Sequence, residues 1–203
     1  AQVPTIPPAV DAMFTANSVV KELGNMVIDG RNHDLNGNVI AGAGTFGVST
    51  VATLTQSGNA KVGGTAAGKD YAPQKNPYRY PPGIFLRERA LAIAAKIIEQ
   101  NATYTFPSSP DAVFGYDPGT LKALAQTGAN GSQYATDPAS LTFPLVSVTY
   151  IELADGASWS PIHFGASTGV LVVHNSAGNA LMKNLNSGTF KGLIIGDDIE
   201  KVH

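Results

Sequence analysis

Gly169-Val-Leu-Val-Val-His174 is an unbroken apolar run closed by an imidazole, and two runs of the same kind flank it, Val148-Thr-Tyr-Ile-Glu-Leu153 and Gly192-Leu-Ile-Ile-Gly-Asp197. Their starts lie about 21 to 23 residues apart with Asn, Gly, Ser and Asp between them, an interval that suits one coil of a stacked β structure. A single coil cannot bury its own face, so the coils must stack. The fold expected from residues 146–203 is therefore a mainly β one, a β-solenoid (β-helix) body.

Composition agrees. The 203 residues include 22 Gly and 13 Pro, which supply the turns that many short strands need. Lys and Arg number 13 against 15 Asp and Glu, a net charge of −2, so no large basic footprint exists for nucleic acid. Cysteine is absent, which removes disulfides, thiolate metal sites and a cysteine nucleophile. No apolar run is long enough to span a membrane. Ala1-Gln-Val-Pro-Thr-Ile-Pro-Pro8 lacks an initiator Met and reads as a processed start or an artificial boundary, which suggests export to the cell surface or medium.

Three segments are expected. Residues 1–64 begin with a helix over 9–23, with Val10, Met13, Phe14, Val20 and Leu23 on one face and Gly24 as its stop, capping one end of the stack. Short strands follow, separated by Asp29-Gly30, Asn36-Gly37 and Ser57-Gly58-Asn59. Residues 65–145 open with a Gly- and Pro-rich linker over 63–83 and continue as a small inserted α-helical lobe. Its first helix covers 84–101, with Leu86, Ala90, Ile93, Ala94, Ile97 and Ile98 as the apolar stripe, and its second covers 117–127, capped by Asp117. Residues 146–203 are the coils.

Few residues suggest chemistry. Asp29, His33 and Asp34 combine carboxylates and an imidazole as a divalent ion would require, or else bond the backbone of a turn, with Arg31 pairing a carboxylate. Trp159, His163 and Tyr80 form a candidate ligand patch for sugar, or in the case of Trp159 a hydrophobic plug. His174 reads as a half-buried imidazole with a satisfied partner. Asp197, Asp198 and Glu200 are an acidic group that strand alternation splits, Asp198 and Glu200 facing one way and Asp197 and His203 the other. The lipase-type Ser motif, the P-loop and the dinucleotide fingerprint are missing, so no cofactor is expected and an enzyme is the less favoured class.

Ile28-Asp-Gly-Arg-Asn-His-Asp-Leu-Asn-Gly37, Val62-Gly-Gly64, Gly169-Val-Leu-Val-Val-His-Asn175 and Gly188-Thr-Phe-Lys-Gly-Leu-Ile-Ile-Gly-Asp-Asp198 together resemble the soluble part of PilX-type proteins, which are associated with type IV pili. The resemblance implies an exported bacterial protein with pilus components or its own copies as partners, and it carries over no catalytic residue. The terminal strand presents Leu193, Ile195, Asp197, Ile199, Lys201 and His203 as an assembly edge. The alternative function is an extracellular carbohydrate-binding or carbohydrate-cleaving β-helix.

Overall fold

The computed structural model describes residues 12–34, 36–103, 105–161, 163–185 and 188–202, with backbone alone at 201 and 202. The chain is mainly β, built from small sheets, none of them closed on itself. It divides into two compact units, Ala1–Phe106 and Pro107–His203.

The first unit opens with β1 (Ala12–Ala16), β2 (Val20–Glu22) and β3 (Val27–Asp29). A short antiparallel pair, β4 (Asn32–His33) with β5 (Val39–Ile40), precedes β6 (Phe46–Thr50), β7 (Leu54–Gln56) and β8 (Lys61–Ala66). Ala12 pairs with Phe46, Val20 with Leu54 and Val27 with Lys61, all parallel and all at one and the same sequence offset. A constant offset over three strands means that β6, β7 and β8 lie in register on β1, β2 and β3. β9 (Lys69–Lys75) folds back antiparallel on β8, α1 (Phe85–Ile97) follows, and β10 (Ile98–Glu99) joins β6 in parallel.

Two expectations fail here. The helix over 9–23 is absent from its described part, 12–23, which forms β1 and β2. Asn17-Ser18 breaks the run, burial alternates at Val20 and Glu22, and Met13 and Leu23 of the supposed buried face are 60% and 40% exposed. Pairing with β6 and β7 satisfies the backbone that a helix would have satisfied internally. Its start at 9–11 lies outside the described residues. The expected linker over 63–83 is instead largely the β8–β9 hairpin, turned by Ala67-Gly68 with both φ positive, at 49° and 72°. Pro73 is tolerated because β9 is an edge strand.

In the second unit α2 (Pro110–Phe114) and α3 (Thr120–Gln126) precede β11 (Gln133–Ala135), β12 (Val148–Glu152), β13 (Ser158–Trp159), β14 (Ala166–His174), β15 (Leu181–Leu185), β16 (Thr189–Gly196) and β17 (Asp198–Val202). The order β11-β12-β14-β16 forms one parallel sheet and β13-β15-β17 another. Val148 pairs with Val170 and Val170 with Leu193, two steps along the sequence that are nearly equal. The expected interval is thus the pairing interval. The last step, from Leu181 to Asp198, is shorter, because Asp197 alone connects β16 to β17 where the loop 175–180 connects β14 to β15.

The helices do not form one lobe. α1 packs on β6, β8 and β9 of the first unit, and α3 on β11 and β12 of the second. The cap of α3 also differs from expectation. Asp111, on α2, accepts from Leu121 N at 2.8 Å and Gly119 N at 3.0 Å, while Asp117 contributes only its carbonyl. Placing α3 there buries Leu121 and Ala125 against Tyr150 and Val172.

On the other face of the same sheet Ile151, Leu171 and Val173 join Leu145, Phe164 and Met182 in the main core. A sheet covered on both faces needs a continuous apolar run, which is why Leu171-Val172-Val173 shows no alternation. Each of these side chains contributes about 1.5–3 kcal/mol by leaving water.

Ser147, just before β12, lies beside Gly169 within β14, which pairs with Gly192 within β16. Gly169 has φ 99°, and a methyl on it would run into the Ser147 carbonyl. Gly169→Ala is expected to lower unfolding stability by about 2–4 kcal/mol in urea melts, through both clash and backbone conformation. A loss within the error of such melts would show that the strands have slack there.

Candidate functional site

Parallel pairing carries Glu152, His174 and Asp197 to the same end of neighbouring strands on the helix-covered face of the second unit. Asp197 Oδ1 lies 2.6 Å from His174 Nδ1, and its Oδ2 accepts from Asn175 N at 3.0 Å and Ala180 N at 3.1 Å. The carboxylate therefore pins both ends of the loop 175–180. Glu152 Oε2 accepts from Lys122 Nζ at 2.6 Å and from Tyr134 Oη at 2.5 Å. The Lys122 and Tyr134 hydrogen bonds hold the Glu152 carboxyl below its usual range. Burial, followed by the nearby carboxylates Asp111, Glu152 and Asp197, pushes Tyr150 up to about 12.

A histidine oriented by an aspartate is half of a nucleophilic triad. The other half is missing, since no Ser, Thr or Lys side chain hydrogen-bonds His174 among the described residues; the Tyr150 ring stands edge-on to it at 6.5 Å and Glu152 is its ladder partner. The arrangement fastens a loop to a strand. Sequence reasoning described His174 correctly as half-buried and satisfied, and located no partner for it. The pairing interval, extended one step beyond Val173–Gly196, would have named Asp197.

The other anticipated residues fall as follows. Asp29 is engaged by Arg31, whose Nη2 donates at 2.6 Å, and His33 Nε2 stands 3.6 Å away. Burial pulls Asp29 upward, and the Arg31 hydrogen bonds and charge outweigh it to leave the carboxyl low. Asp34 accepts from Asn36 N and Asn38 N in a turn, and the Asn38 bonds hold it low as well. No three His, Asp or Glu side chains gather as a metal centre among the described residues.

Trp159 packs half-buried on the main core, edge-on to Phe164 at 6.4 Å, and His163 is exposed nearby. Tyr80 belongs to the other unit and lines a groove there. At the expected assembly edge, β16 and β17 each pair on one side only among the described residues. Leu193, Ile195 and Ile199 are half-buried and Asp197 is committed to the loop, whereas the side chain of Lys201 and the whole of His203 lie outside what is described.

That edge shows a graded loss of cover. Leu171, Val172 and Met182 are fully buried, while their ladder partners one strand further on, Ile194, Ile195 and Ile199, are only half-buried. The apolar layer continues onto β16 and β17, which no further strand covers among the described residues.

One buried acid lies elsewhere. Glu22, on β2, is fully buried; Gln56 Nε2 donates to its Oε2 at 2.7 Å, and its Oε1 has no partner among the described residues. Burial pushes its carboxyl up to about 7 against the opposing Gln56 bond. Sequence reasoning missed it, having placed Glu22 in a helix.

No family model matches the chain, and neither the curated proteins nor the solved structures contain a match to it. Among the described residues no helix is long and apolar enough to cross a membrane.

Two outcomes follow from this geometry. Asp197→Ala strips partners from Asn175 N, Ala180 N and His174, and should cost about 2–4 kcal/mol in denaturant melts; an unchanged midpoint would exclude the loop-pinning role. Glu22 binds its proton more tightly when folded than when unfolded, so its contribution falls as pH rises from about 4.5 to about 7, by about 3 kcal/mol in all. The stability difference between wild type and Glu22→Gln should therefore shift in favour of the variant between about pH 4.5 and about pH 8, and a difference independent of pH would refute it.

Proposed function

We propose that this chain is an exported structural module of a pilus-like surface filament, assembling end to end through the open edges of a β-solenoid in its second unit. The solenoid reading is supported by parallel pairing at regular offsets, two nearly equal steps across β12, β14 and β16 and a longer, constant one across the three strand pairs of the first unit. The observation that carries the assembly reading is the half-buried apolar layer on β16 and β17, whose counterparts on β14 and β15 are fully covered.

The occupant is a second copy of the chain. Opposite β16 and β17, the two sheets end in β11 and β13, which are also paired on one side only among the described residues. An edge that offers unpaired backbone and an apolar end layer is completed best by strands of the same spacing, and the second unit carries such strands at its own other end. Contact between unlike ends does not close on itself, so it propagates as a filament. Low charge and the absence of cysteine suit such a component outside the cytoplasm. The resemblance to PilX-type proteins points the same way.

Light scattering and negative-stain microscopy over a concentration series test this. Growing end-to-end particles are expected, and Ile199→Asp should keep the chain monomeric with an unchanged circular dichroism spectrum. Ile194→Thr, a milder change at the same end layer, should weaken growth without abolishing it. A wild-type chain that stays monomeric at every concentration would rule the proposal out.

A further inference from the structure

The first unit contains a groove of about 730 Å³ between β9 and α1, within the roughly 300–1,000 Å³ typical of ligand sites. Its apolar lining includes Leu86, Ala90 and Ile93. Lys69, Lys75, Arg89 and Lys96 converge on it, and none of the four has a carboxylate within ion-pair distance among the described residues. The single acid of the lining, Asp70, accepts from Thr65 Oγ1 at 2.6 Å and Gly42 N at 3.0 Å, and these bonds hold its carboxyl low.

Four cations around one concavity repel one another, in a chain whose net charge is −2. All four are exposed; Lys69 and Lys96 lean on the Tyr71 ring, and Ala90 and Ile97 are the buried residues of α1. A bound anion would turn that repulsion into attraction.

We infer that this groove binds an acidic oligosaccharide, a chain of sugars bearing carboxylate or sulfate groups. Cations with hydroxyl and amide groups beside them, from Tyr71, Tyr80 and Gln74, match a ligand that alternates anions with hydroxyls. The apolar lining matches the C–H faces of pyranose rings. Nucleic acid fits less well, because base stacking needs a bare aromatic face. The Tyr71 ring already carries Lys69 Nζ at 5.6 Å and Lys96 Nζ at 5.7 Å from its centroid, and Lys96 also reaches the Tyr71 hydroxyl at 3.4 Å. That ring presents ammonium groups to the groove in place of its π surface. The site is independent of the terminal edge of the second unit, so it stands or falls apart from the assembly reading.

Calorimetric titration of the full 203-residue chain tests it, with oligogalacturonate and sulfated dextran oligomers as probes and neutral dextran, poly-L-glutamate and oligothymidylate as comparators. Binding of either acidic sugar, absent for neutral dextran and weakened by raising salt from about 0.05 to about 0.5 M, is the expected result, and the two probes separate carboxylate from sulfate preference. The double variant Lys75→Ala with Arg89→Ala, both exposed and outside the core, should weaken binding about tenfold or more, in line with losing two charge-assisted contacts. Lys96→Gln, which keeps most of the stem, should weaken it with an unchanged circular dichroism spectrum. Failure of both acidic sugars to bind at low salt, equal or tighter binding of oligothymidylate or poly-L-glutamate, or variants that bind as wild type would each overturn the inference.

Discussion

Parallel backbone pairing in register is the constraint on which the rest of this protein depends. Once Val148 pairs with Val170 and Val170 with Leu193, every side chain on these strands has a neighbour of the same face above or below it. Apolar residues then form columns, Ile151 beside Val173 on the core side and Tyr150 beside Val172 on the helix side. Polar residues are aligned by the same rule, which brings Glu152, His174 and Asp197 together. The Gly169 backbone, pressed against Ser147, is a local consequence of the same close approach.

The two units apply this constraint with different periods. In the second, the step from Val148 to Val170 leaves room for two strands and short loops. In the first, the longer step from Ala12 to Phe46 accommodates three strands and the small β4–β5 excursion. Charge is handled differently too. The second unit holds the Lys122–Glu152 and His174–Asp197 contacts, while the first holds the Arg31–Asp29 ion pair, an open groove whose four cations have no carboxylate within ion-pair distance among the described residues, and a buried acid, Glu22.

Where sequence reading went astray, long-range pairing had overridden a local pattern. Residues 12–23 carry apolar residues at helical spacing, yet β6 and β7 offer that backbone a ladder, and the spacing of Met13 and Leu23 proves incidental because both are exposed. The hairpin of β8 and β9 was hidden by its glycines and Pro73, which usually mark a loop. The informative signal was Ala67-Gly68, a tight turn between strands, and it is weaker than an Asn-Gly pair.

The sequence by itself determined that the chain is mainly β, that strands recur at a near-constant interval toward its C-terminal end, that a helix lies within 84–101, where α1 covers Phe85–Ile97, and that His174 is half-buried with its ring satisfied. Those properties follow from periodicity, turn chemistry and composition, which act over a few residues and leave a direct trace in the order of side chains. Only the tertiary structure decided the register of the first unit, the partnership of His174 with Asp197, the capping of α3 by Asp111, the burial of Glu22 and the gathering of Lys69, Lys75, Arg89 and Lys96. Each of these joins residues through backbone pairing or packing between segments. The choice of partner depends on which strands stack, and no local pattern encodes that choice.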